Sequence, residues 1–301
     1  MKAIFSASAR DLCSDMTAEE CIDLLAEAGY TAMDFWLNKY CEKADGPMLQ
    51  PDWRQFIERV AKYAAAKGIA VGQVHAHWRL ETEVREDFSC DLPSELIFNN
   101  IEACAMLNCK RLVFHPLQRW LRMPDEADRR KVLEANVCYF GALLPAAEKY
   151  GVEIHIENLF DHHHVWQEGD PVFPFGQTED ILYLLDRLNS PMVKTCLDTG
   201  HANINGVDIP AAIRAYGKRL GSLHLNDNFG RIHPIYEDLH LFPGNGRLDW
   251  KAIIRALREA EYEGTFNFEC SNGMKSMTRG QRLVGLRFAR EMFEQMLRDA
   301  D

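Results

Sequence analysis

The stretch EKYGVEIHIEN, residues 148–158, contains the end of one predicted helix and the whole of the predicted strand that follows it. The helix is predicted over 126–150 and stops at Gly151, because glycine readily takes the left-handed conformation that ends helices. The strand is predicted over 152–158 and carries Glu157 near its carboxyl end. The corresponding position before other predicted strands is taken by Gly29, Gly68 and Gly264. This order of helix, glycine and strand is typical of the βαβ units of a parallel sheet.

Strand-like runs alternate with amphipathic helical runs along the whole chain. The predicted strands cover residues 2–7, 31–36, 70–76, 111–115, 152–158, 193–198, 220–226 and 265–270. The predicted helices cover residues 17–29, 52–67, 94–108, 126–150, 178–188, 209–219, 249–262 and 278–298. Eight units without a change in composition predict an α/β protein with a single (β/α)8 TIM barrel domain over residues 1–301. An open doubly wound sheet is disfavoured, because no glycine-rich dinucleotide fingerprint follows the first strand.

The composition of the 301 residues is that of a globular protein, with 47% hydrophobic and 26% charged residues. The formal net charge of −11 provides no broad basic field, so neither nucleic acid nor an anionic membrane is the expected partner. No uninterrupted apolar run approaches the roughly 18 residues of a membrane span, and the start of the chain is too polar for a signal peptide. These features predict a cytoplasmic protein.

Four long connections follow the carboxyl ends of predicted strands, at 37–51, 116–125, 159–177 and 227–248. In a barrel of this kind that end carries the active site, and connections of such length are commonly functional. Trp120, Phe160 and Trp166 lie in these connections, where they could pack against a sugar ring or simply cover the barrel. The turn PGNG (243–246) could cradle a phosphate, but a turn before the helix near Asp249 explains it without a ligand.

Polar side chains interrupt the apolar strands at their carboxyl ends: His75, His115, Glu157, Asp198, His224 and Glu269. One acidic residue there could cap a helix or pair with an arginine. Several from separate strands facing one mouth would repel one another without a cation. Glu157, Asp198, His224 and Glu269 provide carboxylate oxygens and an imidazole nitrogen, which suit Mn²⁺, Mg²⁺, Co²⁺ or Zn²⁺. His75 and His115 could join a metal or instead bind a sugar hydroxyl or a backbone carbonyl.

A series of motifs occurs in order over predicted strands three to eight: VHAH (74–77), FHP (114–116), HIEN (155–158), LDTGHAN (197–203), LHLND (223–227), DLHLFPGNG (238–246) and FNFEC (266–270). With them the chain resembles the xylose isomerase-like barrel superfamily, which joins sugar isomerases and epimerases to endonuclease IV. The combination is specific for the superfamily and not for one reaction. Relatives of this kind often form homodimers or homotetramers, so either assembly is an expectation.

Similarity to the ketose 3-epimerases implies that Glu157, Asp198, His224 and Glu269 hold one metal ion. It also implies that Glu157 and Glu269 shuttle the proton, and that His201 contacts a substrate oxygen. Those epimerases place an arginine six residues after the histidine of strand seven. Here that position is Gly230, and the next residue, Arg231, becomes the candidate for substrate binding.

Similarity to endonuclease IV implies three metal positions, because that family uses three zinc ions. His75 and His115 would join Glu157 at one position. Glu157, Asp198, His224 and Glu269 would hold the second. His201, Asp238 and His240 would form another. This ligand set does not by itself establish nuclease activity, since sugar isomerase-like relatives can share these residues.

The favoured function is therefore isomerisation or epimerisation of a sugar or sugar phosphate, by proton transfer next to a carbonyl through an enediolate. An endonuclease IV-like phosphodiesterase is the first alternative, although no persuasive stripe of basic residues is present. Metal-assisted bond cleavage on a modified sugar is another. A non-catalytic sugar-binding barrel is disfavoured by the paired glutamates. The expected partner is a small carbohydrate.

Overall fold

A computed structural model describes residues 3–12, 15–77, 83–118, 125–160, 173–230, 238–270 and 272–300. The strands are β1 Phe5–Ala7, β2 Ala32–Trp36, β3 Ala70–His75, β4 Arg111–Phe114, β5 Glu153–Glu157, β6 Val193–Asp198, β7 Leu220–His224 and β8 Phe266–Phe268. The α-helices are α1 Ala9–Leu12, α2 Ala18–Glu27, α3 Trp53–Ala66, α4 Glu95–Met106, α5 Glu126–Tyr150, α6 Thr178–Leu188, α7 Thr199–Ile204, α8 Ile209–Tyr216, α9 Trp250–Glu259 and α10 Arg279–Asp299. Every predicted strand and helix is present.

The strands are parallel and lie in the order of a barrel. A continuous ladder joins β2 through β7 as a six-stranded sheet, and β1 pairs with β8 as a two-stranded sheet. Between the two sheets lie single parallel bridges, from Ser8 to Asp34 on one side and from Leu225 to Phe268 on the other. The α/β barrel fold predicted from the sequence is confirmed, with continuous ladders confined to these two sheets.

The helix ends follow from local side-chain chemistry. Thr17 and Glu20 form a capping box at the start of α2, and the Asp249 side chain accepts from the Ala252 N–H at the start of α9. At the end of α5, Gly151 has a φ of 65°, which glycine adopts without the steric cost that a side chain brings. Two short helices were not predicted, α1 after β1 and α7 after β6. Both follow the carboxyl end of a strand.

The interior of the barrel contains buried polar side chains as well as apolar ones. Near the amino ends of the strands, the buried His155 ring contacts Ser222 Oγ at 2.9 Å and Glu153 Oε2 at 3.1 Å. Gly221 packs against this ring, and a Cβ at that position would lie 2.4 Å from a ring carbon. Glu153 and Glu157 therefore occupy opposite ends of β5. Within the described ranges, no helix is both long and apolar enough to cross a membrane.

Candidate metal centre

The four strongest candidates from the sequence meet at the carboxyl end of the barrel. Glu157, Asp198 and His224 end strands β5, β6 and β7, and Glu269 directly follows β8. All four are buried, with at most 2% of any of them exposed. One ligand atom from each lies within 4.8 Å of the others. The arrangement follows from parallel strands ending at one face, which brings distant parts of the chain together.

The contacts inside this cluster leave buried polar atoms unsatisfied. His224 Nδ1 lies 3.2 Å from Glu157 Oε1 and 3.1 Å from Glu269 Oε2. Even so, among the described residues neither ring nitrogen of His224 nor Glu157 Oε2 has a well-formed hydrogen bond. Buried polar atoms rarely stay unpaired, because the loss of hydration is not compensated. A divalent cation bound by His224 Nδ1 and the neighbouring carboxylates would compensate it there, so the residues present fit a metal ion.

The pKa shifts in this cluster also indicate a site for a cation. Burial alone would lower the pKa of His224, but Cys196, Glu157 and Glu269 raise it well above its ordinary value. Burial raises the pKa of Asp198 to about 7. The His224 shift has the sign expected where excess negative charge retains a proton that a cation would displace.

Asp198 is oriented by two neighbours. Its Oδ1 accepts from the backbone N–H of His201 at 2.7 Å, because Asp198 is the N-cap of α7. Its Oδ2 accepts from the Asn226 side-chain amide at 2.9 Å. These bonds fix the carboxylate towards the cluster, and outer contacts of this kind commonly orient metal ligands.

A second group lies beside the first and shares Glu157. His75 Nε2 and His115 Nε2 lie 3.4 Å and 3.2 Å from Glu157 Oε2, and 3.2 Å from one another. His75 Nδ1 is 2.9 Å from the carbonyl oxygen of Ala76. Since a carbonyl only accepts, Nδ1 donates to it, and Nε2 is the nitrogen that faces Glu157 and His115. The three residues could hold a metal ion.

A third group consists of His201, Asp238 and His240, whose ligand atoms also lie within 4.8 Å of one another. His201 Nε2 lies 3.5 Å from Asp238 Oδ2, and the His240 ring contacts the same carboxylate. His201 Nδ1 donates to the Asn158 carbonyl at 2.8 Å, and His240 Nδ1 donates to the Glu269 carbonyl at 2.6 Å. The structure therefore brings together every candidate ligand predicted from the sequence.

The PGNG turn (243–246) is occupied by a carboxylate from the protein itself. Asp227 Oδ1 accepts from the backbone of Asn228, Arg247 and Leu248, and Oδ2 accepts from Gly244 N–H and Trp250 Nε1. A Cβ at Gly246 would lie 2.2 Å from Asp227 Oδ1. The turn thus folds around an internal anion, which supports its interpretation as a structural turn before α9.

Arg10 and Trp36 also line the site, although the sequence analysis did not select them. Arg10 Nη1 lies 3.6 Å from Glu269 Oε1, and the guanidinium lies 5.0 Å from the centre of the Trp36 ring. Trp36 in turn stacks on His75 with ring centres 3.9 Å apart. The Arg10 side chain is 35% exposed, so it reaches the solvent side of the buried cluster. The available signal was position, since both residues follow or end a strand at the catalytic face.

The predicted substrate-binding residues fall into two sets. Phe160 is 3% exposed, and its ring centre lies 5.0 Å from that of His201, next to the third group. Trp120, Trp166 and Arg231 lie outside the described residues.

A barrel with carboxylates and imidazoles gathered at the carboxyl ends of its strands is the architecture of a metal-dependent TIM barrel. The model of the family described as xylose isomerase-like TIM barrel matches residues 22–291, and the chain belongs to that family. The resemblance predicted from the strand-end motifs is confirmed.

The curated relatives include sugar epimerases and isomerases. A D-psicose 3-epimerase of Enterocloster bolteae is 40% identical over 86 residues, 29% of this chain and 25% of that protein. An inosose isomerase of Bacillus subtilis is 25% identical over 170 residues, 56% of this chain and 56% of that protein. The chain spans between 25% and 57% of the length of the first curated relatives it matches.

Solved structures match over almost the whole chain. The IOLI protein with a binding zinc atom has a TM-score of 0.75 at 17% identity, covering 99% of both chains. A D-psicose 3-epimerase in the presence of D-fructose has a TM-score of 0.72 at 16% identity, covering 98% of this chain and 99% of that chain. At such identities the likeness concerns the fold.

Proposed function

We propose that this chain is a divalent-metal-dependent isomerase or epimerase of a sugar or sugar phosphate, which moves a proton at the carbon next to a carbonyl group. The observation that carries the proposal is the position of Glu157 and Glu269. Their carboxylates approach His224 Nδ1 to 3.2 Å and 3.1 Å within one buried cluster. Family membership and the sugar epimerases and isomerases among the relatives support the same class of reaction.

The chemical difficulty is the weak acidity of the carbon next to a carbonyl. A divalent ion held by Glu157, Asp198, His224 and Glu269 would polarise the carbonyl and stabilise negative charge on the substrate. One glutamate removes a proton from the substrate, and the other, protonated from solvent, donates a proton to the opposite face of that carbon or to the adjacent carbon. A positioned general base of this kind contributes about 10²–10⁴-fold to the rate.

The surrounding side chains are suited to a carbohydrate. Arg10 provides a fixed positive charge beside Glu269, which can bind a hydroxyl or a phosphate oxygen of the substrate. Trp36 and Phe160 provide aromatic surface next to His75 and His201.

Phosphodiester hydrolysis is the second candidate, and a specific observation favours it. Besides the central four residues, the groups His75, His115, Glu157 and His201, Asp238, His240 each bring ligand atoms within 4.8 Å of one another. Clustered cations can activate water and stabilise a leaving oxygen. Against it stands the net charge of −11, which would weaken the approach of a phosphate backbone.

A solvent-exchange assay separates the two candidates. The metal-loaded enzyme is incubated in D₂O with a panel of ketoses and their phosphates, and deuterium at the reacting carbon is measured by NMR. Parallel samples contain a duplex with an abasic site, and strand scission is measured. We expect deuterium incorporation into at least one sugar and no scission. Glu269-dependent scission without exchange on any sugar would replace the first candidate with the second.

Two variants and one control test the roles of the glutamates. Glu157→Gln and Glu269→Gln keep the shape of the side chain but remove a proton acceptor, so each should lower exchange by at least about 10²-fold. Glu153→Gln makes the same change on the same strand as Glu157, at the opposite end of β5, and should leave exchange within about threefold of wild type. Wild-type exchange in both active-site variants would refute the mechanism.

A further inference from the structure

Three histidines of the site have one ring nitrogen fixed by a backbone carbonyl. Nδ1 of His75, His201 and His240 lies 2.9, 2.8 and 2.6 Å from the carbonyl oxygens of Ala76, Asn158 and Glu269. In each case the other nitrogen faces the candidate ligands. His224 is arranged differently, because its Nδ1 faces Glu157 and Glu269 and its Nε2 has no well-formed hydrogen bond among the described residues.

A buried carboxylate lies on the side of His224 that faces away from the cluster. Asp34 Oδ2 is 3.7 Å from His224 Nε2, and both residues are 0% exposed. Asp34 belongs to β2, whereas His224 belongs to β7, so the two side chains approach one another across the barrel. The β2–β3 register shifts between Met33 and Asp34, and such irregularities commonly redirect a side chain.

Two amides hold Asp34 in this position. Asn267 Nδ2 donates to Asp34 Oδ2 at 3.1 Å, and Gln73 Nε2 donates to the same oxygen at 3.4 Å. Asn267 is itself oriented, since Ser6 Oγ donates to its Oδ1 at 2.8 Å. Residues from β1, β3 and β8 therefore converge on a carboxylate that faces His224.

We infer that Asp34 is a positioning residue for the metal ligand His224: its carboxylate lies 3.7 Å from Nε2, beyond direct hydrogen-bond distance, and attracts the Nε2–H electrostatically, so that the Nδ1 lone pair is directed into the cluster. The inference deepens the proposed function and rests on it for the catalytic consequence. Metal-binding histidines typically give their second ring proton to a carboxylate or carbonyl, and loss of that partner typically costs about 10–100-fold in metal affinity. Asp34 stands where the other three histidines have a carbonyl.

Metal affinity tests the inference without any assumption about the reaction. Co²⁺-loaded wild type and Asp34→Asn are titrated with a chromophoric chelator, and the Co²⁺ absorption band reports the ligand geometry. We expect Asp34→Asn to bind Co²⁺ about 10–100-fold more weakly. Glu153→Gln is the matched control, since it also removes a carboxylate beside a buried imidazole, His155, at the other end of the barrel. Its Co²⁺ affinity should stay within about twofold of wild type.

A double-mutant cycle with His224→Ala separates positioning from general damage. If Asp34 acts through His224, then Asp34→Asn has no further effect on Co²⁺ affinity in the His224→Ala background. A tenfold loss in that background, or wild-type affinity of Asp34→Asn alone, overturns the inference. Should Asp34→Asn fail to fold, Asn267→Leu decides the question, because it removes the closer of the two donors that orient Asp34. Weaker binding supports the role, and unchanged binding refutes it. If Asp34→Asn loses Co²⁺ affinity but the wild type exchanges no proton on any sugar, the proposed function is refuted and the inference about Asp34 is not.

Discussion

Asp227→Asn should destabilise the protein strongly, although it only replaces one carboxylate oxygen with an amide nitrogen. The Asp227 carboxylate is fully buried and accepts five hydrogen bonds, three at Oδ1 and two at Oδ2. An asparagine must place its amide nitrogen at one of these oxygens. In either orientation the amide N–H groups of the asparagine therefore face at least two N–H groups that donated to the carboxylate.

The size of the effect follows from the less damaging orientation, in which the new amide faces Gly244 N–H and Trp250 Nε1. Trp250 is 5% exposed, so its indole N–H cannot turn to water. The loss of its hydrogen bond to Asp227 therefore costs about 2 kcal/mol. Gly244 is exposed and can recruit water, which limits its contribution to about 1 kcal/mol. The sum of about 3 kcal/mol corresponds to a fall in Tm of roughly 6 °C at about 2 °C per kcal/mol for a protein of this size.

Calorimetry and amide hydrogen exchange measure this directly. The backbone amides of Gly244, Arg247 and Leu248 should exchange about 100-fold faster in Asp227→Asn, because each 1.4 kcal/mol is about tenfold. Asp208→Asn is the control, since Asp208 is an exposed N-cap whose side chain accepts only from the Ala211 N–H within the described residues. Asparagine caps helices as well as aspartate does, so its Tm should stay within about 1 °C. A Tm of Asp227→Asn equal to that of the control would refute the reasoning.

Three further outcomes are expected. Burial alone would raise the pKa of Glu153, but His155 and Lys194 lower it from 4.5 to about 2. Because a lowered pKa stabilises the fold above the unfolded value, the difference in urea stability between wild type and Glu153→Gln should be constant above pH 5.5 and should shrink below pH 4.5, as Glu153 becomes protonated. A stability difference that grows with acidity would contradict this prediction. Chelation should lower sugar-proton exchange below about 1% of its starting rate, and added Mn²⁺, Mg²⁺, Co²⁺ or Zn²⁺ should restore it; full exchange by protein shown to be metal-free would exclude a metal role. Arg10→Gln should raise the KM about tenfold, because a hydrogen bond from a charged donor is lost, and an unchanged KM would remove Arg10 from the substrate site.

The fold was predictable because its signals are local. Glycine stops, capping residues and alternation of strand and helix are written within short windows, and the observed element ends differ from the predicted ones by at most three residues. The meeting of Glu157, Asp198, His224 and Glu269 at one end of the barrel was also predictable, since the carboxyl ends of parallel strands lie at the same face.

The partners of these residues were not predictable, because they depend on approaches across the barrel. Asp34 interrupts the strand AMDFW, yet nothing near it in sequence indicates that it faces His224. The position of Arg10 beside Glu269 requires the β1–β8 pairing. The PGNG turn could not be assigned from its own residues, since the carboxylate that fills it, Asp227, precedes Gly244 by 17 positions.

Glu157 and Glu269 hold similar places in the central cluster, but their contacts make them unequal. Glu157 directs Oε1 towards His224 and Oε2 towards His75 and His115, so one side chain belongs to two ligand groups. Glu269 belongs only to the central group among the described residues, and its backbone carbonyl orients His240. Removing the Glu157 carboxylate therefore disturbs two potential metal positions, whereas the same change at Glu269 disturbs one and leaves the backbone contact intact. A protein that works with a single ion would lose that ion in either variant. One that holds ions in both groups would lose more metal with Glu157→Gln than with Glu269→Gln, so the two variants also report how many of the ligand groups are used.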